Sequence, residues 1–352
     1  MDFYTTVLAL VVAFGACYLT IRIAKPIALK VGLVDVPNHR KIHTGEVPLV
    51  GGIAVYIGVL TASSLLFPQG QILNLYLISS GLIVFLGALD DYKELSVGTR
   101  LFAQVLIASL MVYGAGLYLS DLGGIFYTSA LKLGWLGYPL TILAMIAAIN
   151  AFNMTDGIDG LAGALSLVTF TGLAVLLFWG NNPMFLLPVV LGCAILPYLM
   201  FNLGLIGGAA KKIFMGDAGS MFVGLSIVWL LVIGSQGDSA SFRPVTALWL
   251  IAIPFMDMCA ITIRRILKGR SPFEPDKEHI HHICMRLGLS AKSSLALISF
   301  ISLLLATFGL LGEFFAWSEG IMFMSFVFIF LAYFQALKHA WKVSKFIRSF
   351  SK

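Results

Sequence analysis

Charge is scarce in this 352-residue chain. Only 11% of its residues are Asp, Glu, Lys or Arg, whereas 59% are hydrophobic, and the mean hydropathy is +0.95. A typical soluble domain carries roughly 25% charged residues. The composition therefore excludes an ordinary soluble domain and indicates a polytopic membrane protein.

Cysteine is scarce as well, and no CxxC pair is present. The four cysteines are scattered, at Cys17, Cys193, Cys259 and Cys284. We interpret three as apolar fillers within the membrane and Cys284 as a free thiol in a reducing compartment. We also expect no signal peptide, because the first residues lack a basic n-region. We expect the first apolar run to belong to the protein.

Long hydrophobic runs, by contrast, are abundant. Windows of roughly 17–22 apolar residues are long enough to cross a bilayer. Eleven occur, at residues 3–24, 48–67, 71–89, 102–119, 134–152, 161–180, 184–204, 219–235, 244–263, 293–312 and 319–338. The sequence thus predicts an all-α polytopic membrane protein with about eleven transmembrane helices, organised as a single domain over residues 1–352.

The basic residues predict the orientation of these spans. All of the 23 Lys and Arg residues except Lys132 and Arg243 fall in loops on one side of the predicted membrane. Such loops are cytoplasmic by the positive-inside rule, so we expect a periplasmic N-terminus and a cytoplasmic C-terminus. The acids on the periplasmic side stand singly, whereas those on the cytoplasmic side recur at span ends. We therefore predict an active site at the cytoplasmic face.

The most informative polar stretch is Asn150-Ala-Phe-Asn-Met-Thr-Asp-Gly-Ile-Asp-Gly160. Asn150, Asn153, Asp156 and Asp159 follow at steps of three, which on a helix makes one polar stripe. Helix capping by Thr155 or Asp156 is the alternative, although one cap needs only one residue. Carboxylates at a membrane boundary are costly unless they meet a cation, water or a substrate. We therefore predict a functional site here.

Three further acids lie near the ends of predicted spans. Asp90 and Asp91 are adjacent, so each raises the proton affinity of the other unless a cation lies nearby. Asp257 lies inside the ninth window, near Pro254. A catalytic role for Asp257 and a buried pairing within the membrane remain equal alternatives.

The stretch Lys211-Lys-Ile-Phe-Met-Gly-Asp-Ala-Gly-Ser220 follows the seventh window. Gly216 and Gly219 predict a tight turn into a helix N-terminus, whose N–H groups favour anions. Asp217 is a candidate metal ligand, because carboxylate and amide oxygens are the ligands that Mg²⁺ prefers. Phe214 could stack on a base, and lipid or core packing explains it equally well.

The loop over residues 264–292 is the only one with room for a substrate-recognition element. It carries Arg264, Arg265 and the run Glu278-His-Ile-His-His282. Clustered histidines beside basic residues can bind a phosphate or sugar, or transfer protons. The alternatives are a zinc site with Cys284, for which a spaced second ligand pair is missing, and a plain basic loop.

In combination, Asp90-Asp91, NAFNMTDGIDG, FMGDAGS and the HIHH loop resemble the polyprenyl-phosphate N-acetylhexosamine-1-phosphate transferases over nearly the whole chain. The stretch SPFEPDKEHIHHICMRLG is most similar to the bacterial members that use UDP-GlcNAc. The resemblance implies that undecaprenyl phosphate attacks the β-phosphate of UDP-GlcNAc. The products would be GlcNAc-pyrophosphoryl-undecaprenol and UMP, the first lipid-linked step toward O-antigen or enterobacterial-common-antigen-type glycans in the bacterial inner membrane.

The same resemblance implies residue roles. The implied catalytic residues are Asp90, Asp91, Asp156, Asp159 and His279. The implied substrate-binding residues are Asn150, Lys93, Arg100, Phe214, Arg264, Arg265, His281 and His282. Asp217 and Asn153 would bind Mg²⁺, with Mn²⁺ as the alternative. Asp90 is the candidate base, and whether Lys93 or Arg100 meets the pyrophosphate is open.

Two other functions compete with this one. The first is the same reaction with a different UDP-N-acetylhexosamine donor. The second is a cation-coupled transporter, which predicts broken helices and acids near the middle of the bilayer. The expected partners are UDP-GlcNAc, undecaprenyl phosphate and the lipid bilayer, without nucleic acid; monomer and homodimer both remain open. We expect direct attack by the lipid phosphate rather than an aspartyl-phosphate intermediate.

Overall fold

The computed structural model describes residues 3–36, 45–126, 129–208, 211–271 and 278–350, with residues 340–350 described by their backbone alone. These residues form the α-helices α1 (Phe3–Val31), α2 (Gly51–Leu66), α3 (Gln71–Lys93), α4 (Val97–Ser109), α5 (Gly137–Thr155), α6 (Leu161–Trp179), α7 (Leu186–Asn202), α8 (Gly216–Ser235), α9 (Pro244–Leu250), α10 (Ala252–Leu267), α11 (Ile280–Arg286), α12 (Ala291–Phe314) and α13 (Glu319–Phe350). Strands β1 (Val34–Asp35) and β2 (Val47–Pro48) pair antiparallel, with Val34 opposite Pro48.

Most of these helices are long and apolar enough to cross a bilayer. Within the described residues nine helices meet that description, and the bent pair α9–α10 makes ten. This confirms an all-α polytopic membrane protein. Each of the eleven predicted windows coincides with one helix or with the bent pair. Helix α2 has only 16 residues, about 24 Å at 1.5 Å per residue, which is short of a hydrocarbon core of about 30 Å.

The ninth window is not the continuous span that we expected. The chain bends by 83° between α9 and α10. The reason is Pro254, whose ring would clash with the carbonyl of the residue four positions earlier in a continuous helix. That residue is Leu250, where α9 ends. The released carbonyl of Leu250 accepts a hydrogen bond of 2.9 Å from Thr169 Oγ1 of α6, so the break leaves that acceptor satisfied.

Helix α8 is the centre of the bundle, with 94% of its most apolar 18-residue window buried. Small residues allow the other helices to reach its backbone. A side chain at Gly52 of α2 would overlap Gly219, and one at Gly87 of α3 would overlap Ala218. These contacts bring the N-terminal ends of α2 and α8 and the C-terminal end of α3 together.

The loops collect at two opposite ends of the bundle. At the first, which we call the site end, α3, α5 and α7 finish while α2, α6 and α8 begin. At the far end, Arg243 Nε lies 3.2 Å from Glu313 Oε2, which Thr246 also contacts. Glu313 is therefore not a solitary acid, as the sequence had indicated, but part of a neutralised pair.

Candidate active site

The site is built on the first turn of α8. Gly216, which begins this helix, has φ +71°, a conformation that favours glycine. A side chain there would also run into the Asp91 carboxylate. That carboxylate accepts the N–H of Asp217 at 2.9 Å and the N–H of Ala218 at 3.3 Å. The N–H groups at this helix N-terminus, which we expected to favour an anion, are thus occupied by a carboxylate of the protein, Asp91.

Asp217 connects three helices. Asn153 of α5 donates from Nδ2 to Asp217 Oδ1 at 2.9 Å, and Arg100 of α4 lies 4.0 Å from Asp217 Oδ2. Arg100 also forms a 2.8 Å ion pair with Asp90 Oδ2, so one guanidinium lies beside both carboxylates. Two ends of helices and the start of a third thus bring Asp90, Asp217 and Asn153 together around one arginine.

The turn after α5 holds the next two acids. Helix α5 ends at Thr155, so Asp156 and Asp159 lie on a turn rather than on the continuous helical stripe that we expected. Burial, followed by the charges of Asp217 and Asp159, raises the pKa of Asp156 to about 7. The turn is held by Asn202, whose side-chain oxygen accepts the N–H of Gly160 at 2.6 Å. Thr155 and Asp156 do not cap α6, which begins after Gly160.

Lys212, to which the sequence assigned no role, forms an ion pair with this turn. Lys212 Nζ lies 2.6 Å from Asp159 Oδ2 and 5.1 Å from the centre of the Phe214 ring. The backbone of Phe214 pairs with the segment around β2, since its N–H donates to Pro48 at 2.9 Å. Phe214 is thus held beside the cation that pairs with Asp159.

The histidines of the 264–292 loop lie over the same turn. The His279 and His281 rings are parallel with centroids 5.9 Å apart, and His282 lies 4.1 Å from His281. A side chain at Gly157 would overlap the His281 ring. His281 is only 1% exposed, and neither of its ring nitrogens has a hydrogen-bond partner among the described residues. Burial and the neighbouring histidines lower its pKa to about 2.

Two basic residues of this loop form ion pairs with one glutamate, and a third is buried. Arg264 Nε lies 2.8 Å from Glu278 Oε2, and Lys268 lies 3.1 Å from Glu278 Oε1. This pairing ties the end of α10 to the start of α11. Arg265 is buried, at 4% exposure. Within the 264–292 loop, residues 272–277 lie outside the described residues.

Two sequence-based candidates lie apart from the carboxylates. Lys93 is exposed at the end of α3, whereas Arg100 contacts Asp90 and Asp217. Arg100 is therefore the cation that the fold brings to the acids. Asn150 lies in α5 about one turn before Asn153, farther from the end of the helix. Its side-chain nitrogen donates to Gln104 Oε1 at 3.2 Å and to the Ile146 carbonyl at 2.7 Å.

The donor set is compatible with Mg²⁺. Among the described residues no three His, Cys, Asp or Glu side chains converge as a metal site, but Mg²⁺ often takes only one or two carboxylates and completes its shell with water and substrate phosphates. Asp217 and Asn153 adjoin in this way, and Asp90 lies beside Arg100, which neighbours both carboxylates. For zinc, burial raises the pKa of the Cys284 thiol, which disfavours the thiolate that zinc requires.

Comparison with known proteins gives the family. The family model of glycosyl transferase family 4 matches residues 73–235. The chain is 45% identical over 332 residues, 94% of this chain and 91% of the relative, to the undecaprenyl-phosphate alpha-N-acetylglucosaminyl 1-phosphate transferase of Yersinia pestis. The proteins of the same description from Salmonella typhi and Haemophilus influenzae are 45% and 42% identical, covering 99% and 97% of this chain and 95% and 96% of the relatives.

The fold and the cluster of acids and cations at one end of it define a polytopic membrane protein of the transferase class. The chain belongs to the family of undecaprenyl-phosphate alpha-N-acetylglucosaminyl 1-phosphate transferases. The resemblance inferred from its motifs is thereby confirmed.

Proposed function

We propose that this chain transfers GlcNAc 1-phosphate from UDP-GlcNAc to undecaprenyl phosphate and releases UMP. The observation that supports this most directly is the convergence of Asp90 and Asp217 on Arg100 at one end of an apolar bundle, where Asp91 binds the backbone of Asp217. The names of its relatives describe the same acceptor and the same sugar. The reaction starts a lipid-linked surface glycan.

We place the site end at the cytoplasmic face of the bacterial inner membrane. The proposal has eleven crossings, with the N-terminus in the periplasm and the C-terminus in the cytoplasm. It is supported by the basic loops, which adjoin the same helix ends as the acids, as the positive-inside rule requires. UDP-GlcNAc would enter from water, and the polyprenyl chain would stay in the bilayer.

The proposed chemistry is one substitution at phosphorus. An oxygen of the lipid phosphate attacks the β-phosphorus of UDP-GlcNAc, and the bond from that phosphorus to the bridging oxygen breaks. The electron pair leaves with UMP. Such a transfer between anions depends on charge neutralisation and in-line positioning. Arg100 would supply positive charge beside the carboxylates, while Lys212 and Phe214 would hold the nucleotide end near Asp159.

A divalent cation, Mg²⁺ or Mn²⁺, would be held by Asp217 and the side-chain oxygen of Asn153. When bound, it would offset the negative charge of the pyrophosphate and of the departing UMP. Asp91 has a different task in this proposal, because its two oxygens already accept N–H groups of α8. Asp91 would hold the backbone of Asp217 in place, so that the Asp217 carboxylate remains available to the cation.

Asp90 favours direct attack by the lipid phosphate. One of its oxygens pairs with Arg100 and the other accepts the N–H of Leu95 at 2.8 Å. A second lone pair remains on each oxygen, but taking a proton or forming a covalent bond would remove the negative charge that pairs with Arg100. The second pKa of a phosphate monoester is already near neutral, so the lipid phosphate needs little activation. We therefore propose one step, with Asp90 anchoring Arg100.

The transporter alternative is supported by one feature, the broken helix pair α9–α10. Its intramembrane acid, Asp257, however, is buried and already accepts three hydrogen bonds within the protein, and the remaining site acids lie at helix ends. Ion-coupled transport would require acids that can exchange an ion near the bilayer midplane.

The test is a transfer assay with purified protein in lipid nanodiscs. UDP-[³H]GlcNAc, undecaprenyl phosphate and Mg²⁺ are added, and label is extracted into organic solvent. We expect extraction that requires both the acceptor lipid and the divalent cation. UDP-GalNAc and UDP-MurNAc-pentapeptide, tested in parallel, identify the donor. Ion uptake by proteoliposomes without label transfer would support the transporter and overturn the proposal.

A further inference from the structure

Asp257 joins the recognition loop to the helix bundle. Its carboxylate is 1% exposed and receives three donors from other parts of the chain. His279 Nδ1 lies 2.7 Å from Oδ2, Ile280 N lies 3.1 Å from Oδ1, and the Tyr333 hydroxyl lies 2.7 Å from Oδ1. Helices α10, α11 and α13 thus meet at one buried acid.

The two oxygens of this carboxylate have different partners. Oδ1 accepts from Tyr333 and from the backbone of Ile280, whereas Oδ2 faces only His279 among the described residues. Because a carboxylate only accepts hydrogen bonds, the proton shared with His279 sits on Nδ1. The Nε2 atom of that ring then accepts a hydrogen bond in the neutral form and donates one in the imidazolium form.

The orientation of His279 affects the turn after α5, which holds Asp156 and Asp159. Its ring is parallel to that of His281, and the His281 ring covers Gly157, next to Asp156. A rotation of His279 would therefore disturb the packing over this turn, because buried side chains have little room to move.

We infer that Asp257 is a positioning residue for sugar-nucleotide use: through Oδ2 it sets the tautomer and direction of His279, and through Oδ1 it ties the recognition loop to α13. This inference rests on the proposed function. The structural alternative is that Asp257 only holds the three helices together, in which case the identity of the atom facing His279 would not matter.

Asp257→Asn separates these two roles. The asparagine oxygen can keep both bonds of Oδ1, while its NH₂ group replaces Oδ2 and donates to His279 Nδ1. The ring is thereby forced into the opposite tautomer without loss of the links to Tyr333 and Ile280. We expect kcat/KM for UDP-GlcNAc to fall by about 10- to 100-fold, by analogy with the loss of a carboxylate that orients a metal-bound histidine. We expect an unchanged KM for undecaprenyl phosphate.

A second comparison is made in a variant that lacks the His279 side chain, which Asp257 is proposed to position. If Asp257 acts through His279, Asp257→Asn should have no further effect, within about twofold, in a His279→Ala background. Tyr333→Phe loosens only the Oδ1 side, so we expect it to lower the melting temperature more than Asp257→Asn does, and activity less. Asp238→Asn, an exposed acid at the far end, is the matched control.

The outcomes separate this inference from the function on which it rests. Wild-type protein that transfers no label would overturn both. Active wild-type protein with an Asp257→Asn variant of unchanged kinetics would overturn the positioning role alone. The positioning role would also be overturned if Asp257→Asn lowered activity further in the His279→Ala background. The same holds if Asp257→Asn and Tyr333→Phe lost equal activity and equal melting temperature.

Discussion

The carboxylate of Asp91 accepts the backbone N–H of Asp217 across 2.9 Å. Helix α3 therefore closes the N-terminus of α8 with an anion of the protein itself. An anionic substrate cannot use those N–H groups while Asp91 holds them. In the proposed reaction its charge would be met by Arg100, by the basic loops and by a divalent cation.

Loss of single carboxylates should reduce turnover strongly. We expect Asp90→Asn, Asp156→Asn and Asp217→Asn each to lower turnover by at least about a hundredfold, roughly 3 kcal/mol of barrier. The label-extraction assay measures this, with Asp238→Asn at the far end as the control. Near wild-type activity in Asp217→Asn would contradict its role as a metal ligand.

Arg100, rather than Lys93, should carry the contact with the pyrophosphate. Arg100→Gln leaves Asp90 without its partner at 2.8 Å and removes positive charge from the site, so we expect a loss in kcat/KM of more than about tenfold. Lys93→Gln changes an exposed side chain and should stay within about twofold. Equal losses in the two variants would contradict the assignment of the pyrophosphate contact to Arg100 rather than Lys93.

Gly157 should be intolerant of even one methyl group. A Cβ there would overlap the His281 ring, and overpacking of this kind costs about 1–3 kcal/mol. We expect Gly157→Ala to lower both the melting temperature and sugar-nucleotide use. Gly15→Ala in α1 is the control, since a Cβ there meets nothing within 4 Å; it should leave activity unchanged and stability equal or higher.

Asp156 should make stability depend on pH. Burial raises its pKa to about 7, against about 3.9 in an unfolded chain. Between these values the folded protein holds a proton that the unfolded chain loses, so stability falls as the pH rises through this window. Asp156→Asn removes that penalty.

The corresponding measurement is thermal unfolding in detergent with a chelator, near pH 5 and near pH 8. The advantage in melting temperature of Asp156→Asn over wild type should be larger at the higher pH, although the variant has lost turnover. An advantage of the same size at both values would contradict the assigned role of burial.

Several features of the fold were open to sequence analysis because they are local. Eleven apolar windows coincide with helices, since each helix satisfies its own backbone groups and a run of apolar side chains suffices to place it. The bend at Leu250 was not predicted, although Pro254 was the available signal. The helical stripe over residues 150–159 was wrong as well, because a three-residue spacing of polar groups is compatible with a helix or with a turn.

Some of the site could be found only from the structure. Lys212 pairs with Asp159 53 residues away, and Asp257 meets Tyr333 76 residues away. Glu278, which pairs with Arg264 and Lys268, lay unremarked in the recognition loop. Nothing in the local sequence of these residues specifies their partners, since the pairs depend on which helix ends are neighbours.

The sequence by itself determined the class of protein and the residue types of the site, because hydropathy and charge act along short stretches of chain. Only the tertiary structure decided that Asp91 faces α8, that Arg100 rather than Lys93 reaches the acids, and that Asp257 holds His279. The first of these follows from the close approach of helices at Gly52, Gly87 and Gly219, where the absence of a side chain sets the distance between backbones that are far apart in sequence. The other two depend in the same way on which helix ends are neighbours.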